Sequence, residues 1–115
     1  MSIAFNILAE LTALLETLEV PVETGIFSDV APDEYAVITP LYDNFDLFCD
    51  NLPEYDVQEV RLSLFTKGNY SALKSRVVKA LLLAGFTVNA RQYIGHEDDS
   101  NYHHYAIDTA KLYKI

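Results

Sequence analysis

A chain of 115 residues, half of them apolar and 12% aromatic, carries enough apolar surface for one core and is too short for two. Seventeen acidic residues against eight basic ones leave a formal net charge of −9, which argues against a broad phosphate-binding face and so against sequence-specific nucleic-acid recognition. The charge is also divided along the chain, because residues 1–60 hold thirteen Asp or Glu and no Lys or Arg, whereas residues 61–115 hold all eight basic residues and four acidic ones.

In chain order, Ile3, Ile7, Leu8, Leu11, Leu14, Leu15 and Leu18 recur at spacings of three and four with Asn6, Glu10, Ala13 and Thr17 opposite, which predicts an amphipathic helix ended by Pro21. Tyr35 to Pro40 and Val57 to Phe65 read as strands, the second alternating Val60, Leu62 and Leu64 inward with Glu59, Arg61 and Ser63 outward. Between them, the stretch from Asp43 to Asp56 mixes Asp43, Asp46, Asp50, Glu54 and Asp56 with Phe45, Leu47, Phe48, Leu52 and Tyr55. It has two readings, an extra hairpin or edge strand with a polar outer face, and a projecting loop that orders against a neighbour.

A second helix is predicted from Ser71 to Ala84, with Leu73, Val77, Ala80, Leu81 and Ala84 as its buried stripe, Asn69 as cap and Gly85 at the left-handed C-terminal position. Phe86 to Ile94 and Tyr102 to Tyr113 follow as strands, and the acidic segment from Gly95 to Asn101 makes a hairpin of them. Helix, two or three strands, helix, two strands is the order of an α+β domain over residues 1–115, with a mainly antiparallel sheet of four to five strands and two helices packed on one face.

The candidate chemistry is thin. His103 and His104 are adjacent, and neighbours in a strand point to opposite faces, so the two do not share a metal ion easily; His96 with a carboxylate completes at most a partial set. Cys49 lies between Phe48 and Asp50, where acidic neighbours disfavour the thiolate that nucleophilic attack needs, and a structural role fits it better. With four glycines there is no phosphate-cradling loop and no Gly-x-Ser-x-Gly turn. No catalytic residue, metal or cofactor is therefore expected. The single cysteine rules out an intramolecular disulfide and fits a reducing compartment. Met1 to Asn6 lacks the basic start of a signal peptide, and no apolar run approaches the roughly 20 residues of a membrane span. A cytoplasmic protein without membrane contact is the expectation.

Lys74, Arg76 and Lys79 cluster on the second helix, with Lys67 and Arg61 near by in sequence. Three charges are what an ordinary solvated helix face carries, but this surface is also suited to meet the acidic first half of another copy. Opposite patches on two faces of one molecule attract head to tail, and such contacts close into rings or run on as filaments. The competing outcome is that the two charge sets interleave within one domain. The interface candidates are thus Asp43, Phe45, Asp46, Phe48, Asp50 and Tyr55 on one side and Lys67, Lys74, Arg76 and Lys79 on the other.

The chain resembles the small tail-terminator and tail-completion proteins of long-tailed bacteriophages and prophages. The resemblance is carried by Gly25-Ile26-Phe27 through Pro32 to Tyr35-Ala36-Val37-Ile38, and by Glu59-Val60-Arg61-Leu62-Ser63-Leu64-Phe65-Thr66-Lys67-Gly68 leading into Tyr70. Gly85-Phe86-Thr87-Val88 and Tyr102-His103-His104-Tyr105-Ala106-Ile107-Asp108 continue it, so it spans nearly the whole chain. It implies a structural virion protein without an active site, a homo-oligomer that forms a ring, commonly a hexamer, and touches tail-tube and head-connector proteins. It also implies a location at the head–tail interface of the virion and in the host cytoplasm during assembly. In such a ring the acidic bias would repel the DNA backbone from the conduit wall. The alternative is a small cytosolic regulatory or ligand-binding α+β module that recognises a cationic partner.

Overall fold

Asn6 decides where the first helix begins. Its Oδ1 accepts hydrogen bonds from the backbone N–H of Leu8 (2.7 Å) and Ala9 (3.4 Å), so α1 spans Ile7–Thr17 and Asn6 is its cap, not part of its polar face. The computed structural model describes residues 6–23, 32–49 and 52–114, with the backbone alone for residues 42–49 and 52–54; Ile3 lies outside the described residues. Ile7, Leu11 and Leu15 are the buried stripe of α1, Leu14 and Leu18 pack at its margin, and Leu8 is exposed.

The second helix, α2, spans Tyr70–Leu83, with Asn69 Oδ1 accepting from the Ala72 N–H at 3.1 Å. Leu73, Val77 and Leu81 are buried, whereas Ala80 is only half-buried and Ala84 exposed, so the buried stripe is narrower than the spacing predicts. Both helices end in the same Schellman arrangement. Val20 N–H donates to Leu15 O and Glu19 N–H to Glu16 O after α1, and Phe86 N–H donates to Leu81 O and Gly85 N–H to Leu82 O after α2. The left-handed residue is Gly85 (φ 88°) in one case and Glu19 (φ 61°) in the other. A side chain with a Cβ is disfavoured there, so Glu19→Gly is expected to stabilise the protein by about 0.5–1 kcal/mol, read as a higher denaturant midpoint at unchanged slope. A lower midpoint would show that Glu19 makes a compensating contact.

Five strands form one sheet in the order β1-β2-β3-β5-β4, namely β1 (Val22–Glu23), β2 (Glu34–Cys49), β3 (Leu52–Thr66), β4 (Thr87–Glu97) and β5 (Tyr102–Lys114). All neighbours are antiparallel except β1 and β2, which pair in parallel through Val22↔Ala36 and Glu23↔Val37. Across the centre, Ile38 pairs with Leu62 and Leu62 with Ile107, and alternation then places Ala36, Val60, Leu64 and Tyr105 on the same face. These residues form one buried cluster with the stripes of α1 and α2, so both helices cover that face. The fold is α+β, as expected.

Lys111 ties the two helices to β5. Its Nζ donates to Glu10 Oε2 of α1 at 2.7 Å and to the Ala84 carbonyl at the end of α2 at 3.3 Å, and lies 4.7 Å from the centre of the Phe86 ring. Beside it, the buried Tyr113 hydroxyl has no hydrogen-bond partner among the described residues, and burial, aided by the charge of Glu10, raises its pKa.

The stretch from Asp43 to Asp56 is a hairpin, not a loop. β2 and β3 stay in register from Glu34↔Thr66 to Cys49↔Leu52, with one irregularity between Pro40 and Tyr42. Lys114 of β5 stands opposite Tyr55, the last β3–β5 pair among the described residues, while Pro53 and Leu52 still pair with Phe48 and Cys49 of β2, so the hairpin runs on as a two-stranded ribbon. The molecule is accordingly elongated, 54 × 26 × 22 Å. Cys49 closes β2, and Asp50 lies outside the described residues. No helix among the described residues is long and apolar enough to cross a membrane.

Candidate interaction surface

The C-terminal half of α2 leaves apolar surface uncovered beside β4. Leu82 is 58% and Leu83 79% exposed, because only Leu81 of the three consecutive leucines can point at the sheet when successive side chains turn by about 100°. With Val78 they floor a groove of about 400 Å³ whose other walls are Lys74, Ser75, Lys79 and Arg91. Arg91 comes from β4, where it stands opposite Ile107.

The partners of the basic residues separate this groove from the rest of the surface. Arg61 pairs with Asp108 (2.8 Å), Lys67 with Asp33 (3.9 Å), Arg76 with Glu34 (3.1 Å) and Lys111 with Glu10 (2.7 Å). Lys74, Lys79, Arg91 and Lys114 have no carboxylate partner among the described residues, and the first three line the groove. Lys74 does lie over the Tyr105 ring, 5.6 Å from its centre. No protein-family model matches the chain, and no curated protein is similar enough to be paired with it.

The ten predicted interface residues therefore divide. Lys74 and Lys79 share the groove. Arg76 and Lys67 do not, since Glu34 and Asp33 of the acidic first half engage them within the domain, which is the interleaving outcome for these two charges. Asp43, Phe45, Asp46 and Phe48 belong to β2 and Tyr55 to β3, where Asp46 stands opposite Tyr55 and Phe45 opposite Asp56. Arg91, Leu82 and Leu83 were not anticipated; the unbroken Leu81-Leu82-Leu83 run was the available signal for the last two, whereas Arg91 reaches the groove only through the β4–β5 register.

The histidines sit on both faces of the sheet, as strand alternation requires. On the helix side, His103 faces His96 across the hairpin with ring centres 4.8 Å apart, packs against Tyr70, and shares a 3.0 Å hydrogen bond with the Tyr93 hydroxyl through Nδ1. His96 Nδ1 is 3.2 Å from Asp98 Oδ1. No group of three or more His, Cys, Asp or Glu able to hold a metal ion occurs among the described residues. On the other face, His104, Phe65 and Tyr35 stack across three strands, with centroids 4.3 Å apart for His104–Phe65 and 4.9 Å for Tyr35–Phe65. Tyr102 meets both Tyr35 and Phe65 edge-on and donates its hydroxyl to the Pro32 carbonyl.

His104 Nε2 is buried with no hydrogen-bond partner among the described residues. Burial therefore lowers its pKa below the ordinary 6.5, with Arg61 acting in the same direction and Glu97 against it. Since the folded value lies below the unfolded one, the unfolded chain binds the proton first, and stability falls as pH drops below about 6.5 toward the folded value. A Phe at this position keeps the stack and cannot titrate. His104→Phe should accordingly lose less stability than the parent between pH 7 and 5 in denaturant titrations, and a parent–variant difference that does not change with pH would show the proton linkage to be absent.

Proposed function

We propose that the chain is a structural component of a phage-type tail that assembles with copies of itself, as a ring, and joins the tail end to the head connector. The observation that carries this reading is the uneven pairing of charge. Half of the eight basic residues are neutralised within the domain, and three of the remaining four gather with exposed leucines in one groove. The acidic surplus meanwhile includes the β2–β3 hairpin, whose described residues 43–49 and 52–56 hold Asp43, Asp46, Glu54 and Asp56 and no Lys or Arg.

Unlike surfaces of this kind favour a heterologous contact over a self-complementary one, because like charges oppose the symmetric pairing. Exposed apolar side chains framed by charge also mark contact sites more often than bare solvent-facing surface. The resemblance to tail-terminator proteins supplies the setting, and an elongated domain with a protruding ribbon suits a subunit that must reach its neighbours. Deleting the gene from a particle-producing host should leave separate heads and tails, with normal heads and normal tails each present. Joined, infectious particles made without the chain would overturn the proposal.

A further inference from the structure

We infer that the groove between α2 and β4 is the receptor for the β2–β3 ribbon of a second copy of this chain, so that each molecule offers one ribbon and one groove. This rests on the assembly reading above and names the two surfaces that meet.

Three features select this occupant. The first is charge, since Lys74, Lys79 and Arg91 have no carboxylate partner among the described residues, and the segment 43–56 carries five acids and no Lys or Arg around its aromatic residues. The second is polarity, because the floor of Val78, Leu82 and Leu83 needs apolar partners between the charges, and Phe45, Leu47 and Phe48 interleave the ribbon's acids. The third is topology. The ribbon extends from β2 and β3, the groove lies at β4 on the far edge of the sheet, and β5 stands between them. The β2–β3 register, shifted once between Pro40 and Tyr42, carries the hairpin past Tyr55↔Lys114, the last β3–β5 pair among the described residues, and so away from the β4 edge where its own groove lies. Contacts repeated this way are head to tail and leave no unused copy of either surface once the set closes.

The test uses the full chain and paired charge reversals, with mass measured by sedimentation at low salt. Lys79→Glu with Arg91→Glu should make a monomer, because an acidic ribbon then meets an acidic groove. Asp43→Lys with Asp46→Lys should make one too, for the opposite reason. Mixed in equal amounts, the two variants should assemble again, since each ribbon now matches the other's groove, and high salt should dissolve the mixture. Circular dichroism and a melting curve for each variant confirm folding; should either pair of reversals unfold the chain, the single changes Lys79→Glu and Asp46→Lys take their place, with a tenfold or greater weakening of self-association expected for each. If the parent assembles and the groove variant assembles equally well, the groove assignment is wrong while the assembly reading stands. A mixture that stays monomeric also overturns the assignment. If the parent itself is monomeric at every concentration and salt, both fall.

Discussion

Replacing Leu62 with alanine is expected to cost about 3 kcal/mol, within the 2–5 kcal/mol range of large-to-small changes in a packed core. Leu62 lies on the central strand β3, is fully buried, and is flanked by Ile38 of β2 and Ile107 of β5 in register. Sheet neighbours on two sides and the helices above leave little freedom to close the cavity, so the lost contacts are not recovered. Against a total stability on the order of 5–15 kcal/mol, the melting temperature should fall by more than about 10 °C. Leu112→Ala is the matched control. Leu112 is on β5 but 46% exposed, and its loss should stay within about 0.5 kcal/mol. A Leu62→Ala penalty as small as the control's would mean that the core is not centred on β3.

The second large effect is expected at Lys111. Its ammonium holds Glu10 of α1 and the carbonyl of Ala84, the residue that caps the end of α2, and lies over the Phe86 ring. Lys111→Met keeps much of the stem and removes the charge, leaving the partly buried Glu10 carboxylate and a helix-end carbonyl unmet. About 1–2 kcal/mol should be lost. Lys111→Ala should cost more, through the lost packing of the stem. A double-mutant cycle with Glu10→Gln isolates the ionic contribution. Coupling near zero would reduce the contact to an ordinary surface pair, and the joint between α1, α2 and β5 would then rest on apolar packing alone.

Much of this architecture is legible from local pattern. The stripe Ile7-Leu11-Leu15, the stripe Leu73-Val77-Leu81 and the alternation Val60-Leu62-Leu64 each repeat the period of the element they form, and all nine residues are buried. Asn69 and Gly85 announce the ends of α2 because their chemistry suits a cap and a left-handed turn. What stays hidden depends on distant pairing. Two residues of β1 are too few to show a period, and they form a strand only because Ala36 and Val37 lie alongside. The ribbon is obscured by Pro40, Pro53 and its mixed acids and aromatics, which break alternation, although the β2–β3 register runs through them with one irregularity.

The candidate groove shows the same division. Lys74 and Lys79 are visible as a helical cluster, but which lysines and arginines remain without an acidic partner depends on Asp33, just before β2, and Glu34, its first residue, reaching across to Lys67 and Arg76, more than thirty residues later. No property of the second helix alone separates Arg76 from Lys79.

The central claim is that this chain meets its own copies through unlike, charged surfaces, and sedimentation of the unaltered protein over a range of concentration and salt tests it most directly. At about 50 mM salt, where screening is weak, rising concentration should convert the monomer into one larger species of fixed mass, and raising the salt toward about 0.5 M should return it to the monomer. A monomer throughout, or an assembly that salt leaves untouched, would contradict it.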